Sequence, residues 1–241
     1  MHRAALFIVV IVCLLSEARS HHKTFRGHWE KTWDVSSTQF DSANFGFAFS
    51  GHVDVSRALR DSNAVFRNLE GKKILTIGGG NSNGAWTRRY IRKLNKAIRS
   101  GSLNSYHGIA YDIEEGQSGL TGDFLRSFWE AKRHGFFVLV TVSKTAPYGI
   151  RDARRLMWNI IHSRHVDVIS PIMYPSGQNF QKCSDRGGVD FSTMQNVPWS
   201  WYRRSRAYVV PSLWRSSFYR EAQSFLRGRG IVSYGYIVWC R

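Results

Sequence analysis

Short apolar runs recur along the chain at residues 45–49, 73–77, 108–113, 136–142, 166–173, 208–213 and 231–238. They are rich in Val, Ile, Phe and Tyr and about five to eight residues long, which suits strands buried on both faces. Between them lie stretches with a helical period. Residues 86–98 set Tyr90, Ile91, Leu94 and Ile98 on one side with basic residues opposite. Residues 122–132 carry Phe124, Leu125, Phe128 and Trp129 and end near Gly135. Residues 152–162 carry Leu156, Met157, Ile160 and Ile161, and residues 217–226 carry Phe218, Ala222, Phe225 and Leu226, ending near Gly228. Strand–helix alternation of this kind predicts a parallel sheet with helices outside. An early strand at 25–29 brings the count to eight, so the pattern predicts an α/β fold, a (β/α)8 TIM-type barrel; a doubly wound sheet shares the pattern. The barrel is expected to be short, with a brief first connection and no final helix after the eighth strand.

The segment ahead of the first strand reads differently. Met1-His2-Arg3 is positive, residues 4–15 are apolar and uncharged, and Ala18-Arg19-Ser20 puts small residues at the cleavage positions. This is the layout of a secretory signal peptide cut after Ser20; the run is short for a bilayer, which takes about 20 apolar residues. The expectation is a signal peptide at 1–20, one globular domain at 21–241 and a secreted, extracellular, monomeric product with no transmembrane segment. Cys13 leaves with the leader, and Cys183 and Cys240 are an even pair in an oxidising compartment, so a disulfide between them is expected over two free thiols.

Charge adds a question about partners. Lys and Arg number 34 against 17 Asp and Glu, a formal net charge of +17. A balance this basic favours anionic surfaces, such as sulfated glycans, acidic lipid headgroups or a microbial surface; secretion argues against nucleic acid as the specific partner. No Cys/His cluster has zinc spacing, and Gly78-Gly79-Gly80 lacks the Lys-Ser/Thr ending of a phosphate loop. There is no G-x-S-x-G and no H-E-x-x-H, so neither a metal nor another cofactor is expected.

The fourth apolar run carries the candidate chemistry. In His107-Gly108-Ile109-Ala110-Tyr111-Asp112-Ile113-Glu114-Glu115, alternation puts Ala110, Asp112 and Glu114 on one face and Tyr111, Ile113 and Glu115 on the other. Two carboxylates two residues apart at a strand mouth resist ionising together, so one is held protonated and can serve as an acid. The plainer alternative is that both emerge into solvent.

Four segments, in order and at barrel spacing, resemble glycoside hydrolase family 18, the chitinases and chitinase-like lectins. Residues 73–80, with Thr76 followed by Gly78 and Gly79, resemble its third-strand motif, Thr standing for the usual Ser. Residues 107–114 resemble its fourth-strand signature D-G-x-D-x-D-x-E. Residues 166–174 resemble the sixth strand that ends in a functional Tyr, and residues 235–239 the last strand and its Trp. The resemblance implies that Glu114 is the general acid, that Asp112 orients the substrate's acetamido group, that Tyr174 helps hold that group and that Trp239 is the stacking floor. Gly78, Gly79 and Trp86 are the further substrate-binding candidates, and Trp199, Trp201 and Trp214 are lesser stacking candidates. The implied reaction is retaining, substrate-assisted hydrolysis of β-1,4-linked N-acetylglucosamine glycans.

The departures weaken the shell around the acid. His107 and Ala110 stand where the signature has its first and second Asp, and Pro175 follows Tyr174 where an Asp is usual. Three readings follow: a secreted hydrolase, a chitinase-like lectin that binds without efficient turnover, and a basic effector for an anionic glycan or cell surface.

Overall fold

The computed structural model describes residues 24–34, 43–175, 183 and 187–240. The expected signal peptide and its cleavage point lie outside these residues. Nine strand segments, all paired in parallel, form one closed sheet: β1 (Phe25–Lys31), β2 (Phe45–Phe49), β3 (Lys72–Gly78), β4 (Gly108–Asp112), β5 (Phe137–Ser143), β6 (Val168–Ile172), β7 (Tyr208–Val209), β8 (Ser212–Leu213) and β9 (Gly235–Val238). β5 pairs with β6, β6 with both β7 and β8, β8 with β9, and β9 with β1. β7 and β8 are two halves of one barrel position, so the ring has the eight places the alternation predicts. The run expected at 208–213 is split at Val210-Pro211, because Pro has no N–H to give the ladder.

Helices α1 (Val55–Ser62), α2 (Arg88–Arg99), α3 (Thr121–Arg133), α4 (Ala153–Ile161) and α5 (Tyr219–Arg227) wrap the ring. The four expected helices appear within a few residues of their predicted spans. α2 starts later than the periodicity suggests, because Thr87 caps it: the Thr87 hydroxyl accepts from the Tyr90 N–H at 3.3 Å. α1 was not expected; it is basic and short, and only Val55, Ala58 and Ser62 are buried. Among the described residues no helix follows β9.

Two hydrophobic bodies result. The larger lies between ring and helices and includes Leu75, Ile77, Tyr111, Val140, Phe124 and Phe128. The smaller fills the ring. Parallel strands in a barrel are staggered, so inward residues of alternate strands share a height. The register gives one layer of Gly27, Ile74, Leu139 and Val210, then Phe47, Ala110, Ser170 and Ile237. Above these come Trp29, Thr76, Thr141 and Ser212, and then Phe49, Asp112, Ile172 and Trp239 at the C-terminal mouth. Gly27 has to be glycine: a Cβ there would lie 2.7 Å from the Phe47 ring.

Cys183, after β6, is bonded to Cys240, after β9, across 57 residues of sequence. The bond ties the closing strand to the loop beside the mouth. Replacing both cysteines with serine should cost about 2–4 kcal/mol of stability, the usual range for a disulfide. Denaturant melts of oxidised, reduced and double-mutant protein would check this; equal midpoints would show that the bond contributes nothing.

Candidate active site

The strand order that closes the ring also gathers polar side chains at its C-terminal mouth, where a cleft of about 450 Å³ opens. Asp112 ends β4 and Glu114 follows two residues later; both line the cleft, with 3 % and 8 % of their surface exposed. Ala110 and Tyr111 alternate inward and outward as expected, Ala110 among the ring residues and Tyr111 under the helices.

Glu114 is held by its neighbours. The Ser143 hydroxyl at the end of β5 donates to its Oε2, and the Gly80 N–H also bonds to the carboxylate. Gly80 must stay small, because a Cβ there would lie 2.7 Å from Glu114 Oε1. Burial pushes the Glu114 carboxyl above its usual range. The Ser143 hydrogen bond and then the Lys144 charge pull it back, Glu115 pushes it up again, and the Gly80 N–H pulls it down. Asp112 is raised further, first by burial and then by the Glu114 charge, and its Oδ1 has no hydrogen-bond partner. The pair is therefore two carboxyls out of water, each penalised when the other ionises.

Tyr174, one residue beyond the short gap after β6, lines the same cleft. Its ring lies edge-on to Trp214 at 5.8 Å and 6.2 Å from Trp239. Burial, then the Glu114 and Asp112 charges, hold its hydroxyl well above the usual tyrosine range, so it stays protonated and able to donate. Its carbonyl accepts from Lys144 Nζ at 2.5 Å. Lys144 is almost fully buried, pairs with Asp190 at 3.1 Å and sits at a left-handed φ of 51°. Trp239 lines the cleft against Phe49 at 5.3 Å, and Lys31 Nζ lies 5.3 Å from its ring. Tyr148 closes one side, and its hydroxyl donates to Glu115 Oε1.

The structure thus brings together Glu114, Asp112, Tyr174 and Trp239. It does not bring in Trp86. That indole is fully buried, stacked on Tyr111 at 5.9 Å and edge-on to Phe124 at 5.1 Å. Its Nε1 donates to the Asp112 carbonyl at 2.7 Å, so it braces the end of β4 from behind. Gly78 and Gly79, expected at the substrate, do not line the cleft either; they allow close backbone approach. Gly78 has φ +102°, and a Cβ there would lie 2.1 Å from the Asp112 carbonyl oxygen; a Cβ on Gly79 would lie 3.2 Å from Gly51 Cα. Trp199 and Trp214 are buried, and Trp201 packs on Trp158 and Arg154. The tryptophans lining the cleft are Trp29, Trp33 and Trp239.

Sequence reading missed Ser143, Lys144, Gly80, Tyr148 and Trp33. Ser143 had a signal: Leu139, Thr141 and Ser143 alternate along β5 and turn polar toward the mouth. Lys144 had none, since a left-handed lysine is set by its surroundings.

No protein-family model matches this sequence, and no curated protein does. Solved structures do resemble the barrel. A chitinase from Chromobacterium violaceum aligns at a TM-score of 0.50 with 11% identity, over 79% of this chain and 68% of that one. A class V chitinase from Pseudomonas fluorescens aligns at 0.45 with 11% identity, over 85% and 76%. The spore cortex-lytic enzyme SleL of Bacillus megaterium aligns at 0.42 with 10% identity, over 78% of this chain and 50% of that one. At these identities the likeness is one of fold, carried by the first of the three.

The raised carboxyls have a thermodynamic consequence. A carboxyl whose folded pKa lies above its unfolded value costs nothing at pH 3, where both states are protonated. Stability then falls as pH rises from about 4 through the raised value, because the unfolded chain ionises first. Asp112→Asn removes that cost. Its melting temperature should exceed the wild type's at pH 7 by about 2–4 °C, the equivalent of ~1 kcal/mol, and match it near pH 3. A difference that does not depend on pH would refute the raised Asp112.

Proposed function

We propose that this protein is a chitinase-like glycoside hydrolase that cleaves β-1,4-linked N-acetylglucosamine glycans by a substrate-assisted, retaining route, and that it acts outside the cell. The observation that carries the reading is the pair of desolvated carboxyls, Asp112 and Glu114, opening onto a cleft walled by Trp29, Trp33, Phe49 and Trp239. Aromatic faces suit the apolar faces of pyranose rings, and a carboxyl kept protonated by burial suits proton donation to a glycosidic oxygen. The matches to the fourth- and sixth-strand signatures support the same assignment.

In this reading Glu114 donates its proton to the glycosidic oxygen as the bond from that oxygen to C1 breaks. The substrate's acetamido oxygen attacks C1 from the opposite face and forms a cyclic oxazolinium ion. Asp112 lies beside that cation and stabilises its positive charge, and the Tyr174 hydroxyl donates to the acetamido group. Water then attacks C1, the bond from C1 to the acetamido oxygen breaks and the ring reopens, and the water gives its proton to the Glu114 carboxylate. Stereochemistry is retained, because C1 is inverted twice, and no protein nucleophile is needed.

Ala110 and Pro175 favour a second reading, a lectin that holds chitooligosaccharides without efficient turnover. A labelled chitooligosaccharide separates the two. The hydrolase reading expects product from wild type and a loss of ~10²–10⁴-fold in Glu114→Gln, with calorimetric binding retained. Binding without product in wild type would move the assignment to the lectin, and neither binding nor product would sink both.

The charge supports an additional partner. α2 has no acidic residue, and Arg89, Arg92 and Lys96 on it are exposed at helical spacing. We propose that this stripe holds the protein to sulfated polysaccharide. Replacing the three residues with Ala should move heparin elution to lower salt than removing three basic residues elsewhere; equal shifts would show a response to net charge alone.

A further inference from the structure

Among the described residues, three buried polar atoms on adjacent strands have no hydrogen-bond partner: Thr76 Oγ1 on β3, Thr141 Oγ1 on β5 and Asp112 Oδ1 on β4. Thr76 and Thr141 are 1 % exposed and Asp112 is 3 % exposed. The register makes them neighbours. Thr76 pairs with Ala110 and Thr141 pairs with Asp112, so the two threonines flank β4 at the height between its Ala110 and Asp112 side chains. On the far side of the same layer Trp29 fills the ring and donates from its Nε1 to Ser212 Oγ at 3.2 Å. Ser212 in turn bonds to Ser170 at 2.9 Å. The polar atoms on that side are therefore satisfied by one another. On the β3–β5 side Ala110 supplies only a methyl group, and by register Thr76, Thr141 and Asp112 are the inward residues beside and above it.

Buried polar groups are almost always hydrogen-bonded, and an unsatisfied one costs as much as a lost bond. A buried water takes two to four polar partners, which is what this spot provides. We infer that an internal water is bound above Ala110, between Thr76 Oγ1, Thr141 Oγ1 and Asp112 Oδ1. It donates to Asp112 Oδ1 and to one threonine hydroxyl, and accepts from the other. The water holds the inner oxygen of Asp112 and leaves the outer one for the cleft. It also favours the charged form of Asp112, because it offers that oxygen a donor without adding a second negative charge. If the glycosidase reading holds, the water stands in for a carboxyl partner and steadies the residue that faces the oxazolinium; the site itself does not depend on that reading.

The test needs no substrate. A crystal structure of the wild type finer than ~1.8 Å should show one solvent peak within about 2.6–3.2 Å of all three oxygens. Ordered side chains with no peak there, or threonine hydroxyls turned to backbone carbonyls instead, would overturn the inference. Thr76→Val and Thr141→Val give an independent reading. If the hydroxyls hold a water, each change removes one of its partners and should lower the melting temperature by about 2–4 °C. If they are unpartnered, an isosteric methyl should leave the melting temperature unchanged or raise it, which would overturn the inference. Ala110→Asp should displace the water and put a carboxylate oxygen in its density; a peak that persists unmoved beside the new side chain would also count against it. A wild type that shows the peak but hydrolyses no chitooligosaccharide would refute the glycosidase reading and leave the water site standing.

Discussion

Closing a parallel sheet into a ring forces every inward side chain into one shared interior, and the character of the site follows from what fills it. From the bottom upward the layers are apolar, then mixed, then hydroxyl-rich around Trp29, and the mouth layer sets Asp112 among Phe49, Ile172 and Trp239. Asp112 is thus the one carboxyl in an otherwise apolar rim. Its burial raises it and its nearness to Glu114 raises it further. Neither effect would be large on an open sheet edge, where water would solvate the charges. The closed ring is what holds both carboxyls above their usual range.

The local supports reflect the same constraint. Gly78 and Gly80 let β3 approach β4 at the point where the carboxyls emerge. Ser143 reaches Glu114 from β5, and Trp86 braces the Asp112 carbonyl from the helix side. The Lys144–Asp190 pair anchors the Tyr174 backbone and places a positive charge near Glu114. Chain segments far apart in sequence thus converge on one pair of side chains, as they do generally at the C-terminal face of such barrels.

Much of the fold was legible because buried parallel strands read as unbroken apolar runs and each packed helix shows one apolar stripe. α1 escaped because eight residues with three buried positions leave almost no period to detect. Strand alternation put the two carboxyls on one face but left a solvent-exposed pair open, and the resemblance of residues 107–114 to a known signature favoured a site. Trp86 misled because a large aromatic beside a strand mouth looks the same in sequence whether it turns toward the cleft or toward the helices. The surroundings settle which: Tyr111, Phe124 and the Asp112 carbonyl offer it a complete lining on the inside. Lys144 and the Thr76–Thr141 pair depend on contacts across three strands, which no local pattern encodes.

The pairing of β9 with β1 has a bearing on how the protein is made. These two strands stand at opposite ends of the described chain, yet neither side of the ring is complete without their junction. Trp239 directly follows β9, so the aromatic floor is delivered by the same event that seals the sheet. Contacts of such long sequence separation form late and slowly during folding. β9 must therefore be made before the ring can close, and a copy that stops short of it has the carboxyls of β4 without the aromatic wall that Trp239 supplies. Sealing the sheet and forming the cleft are thus one step.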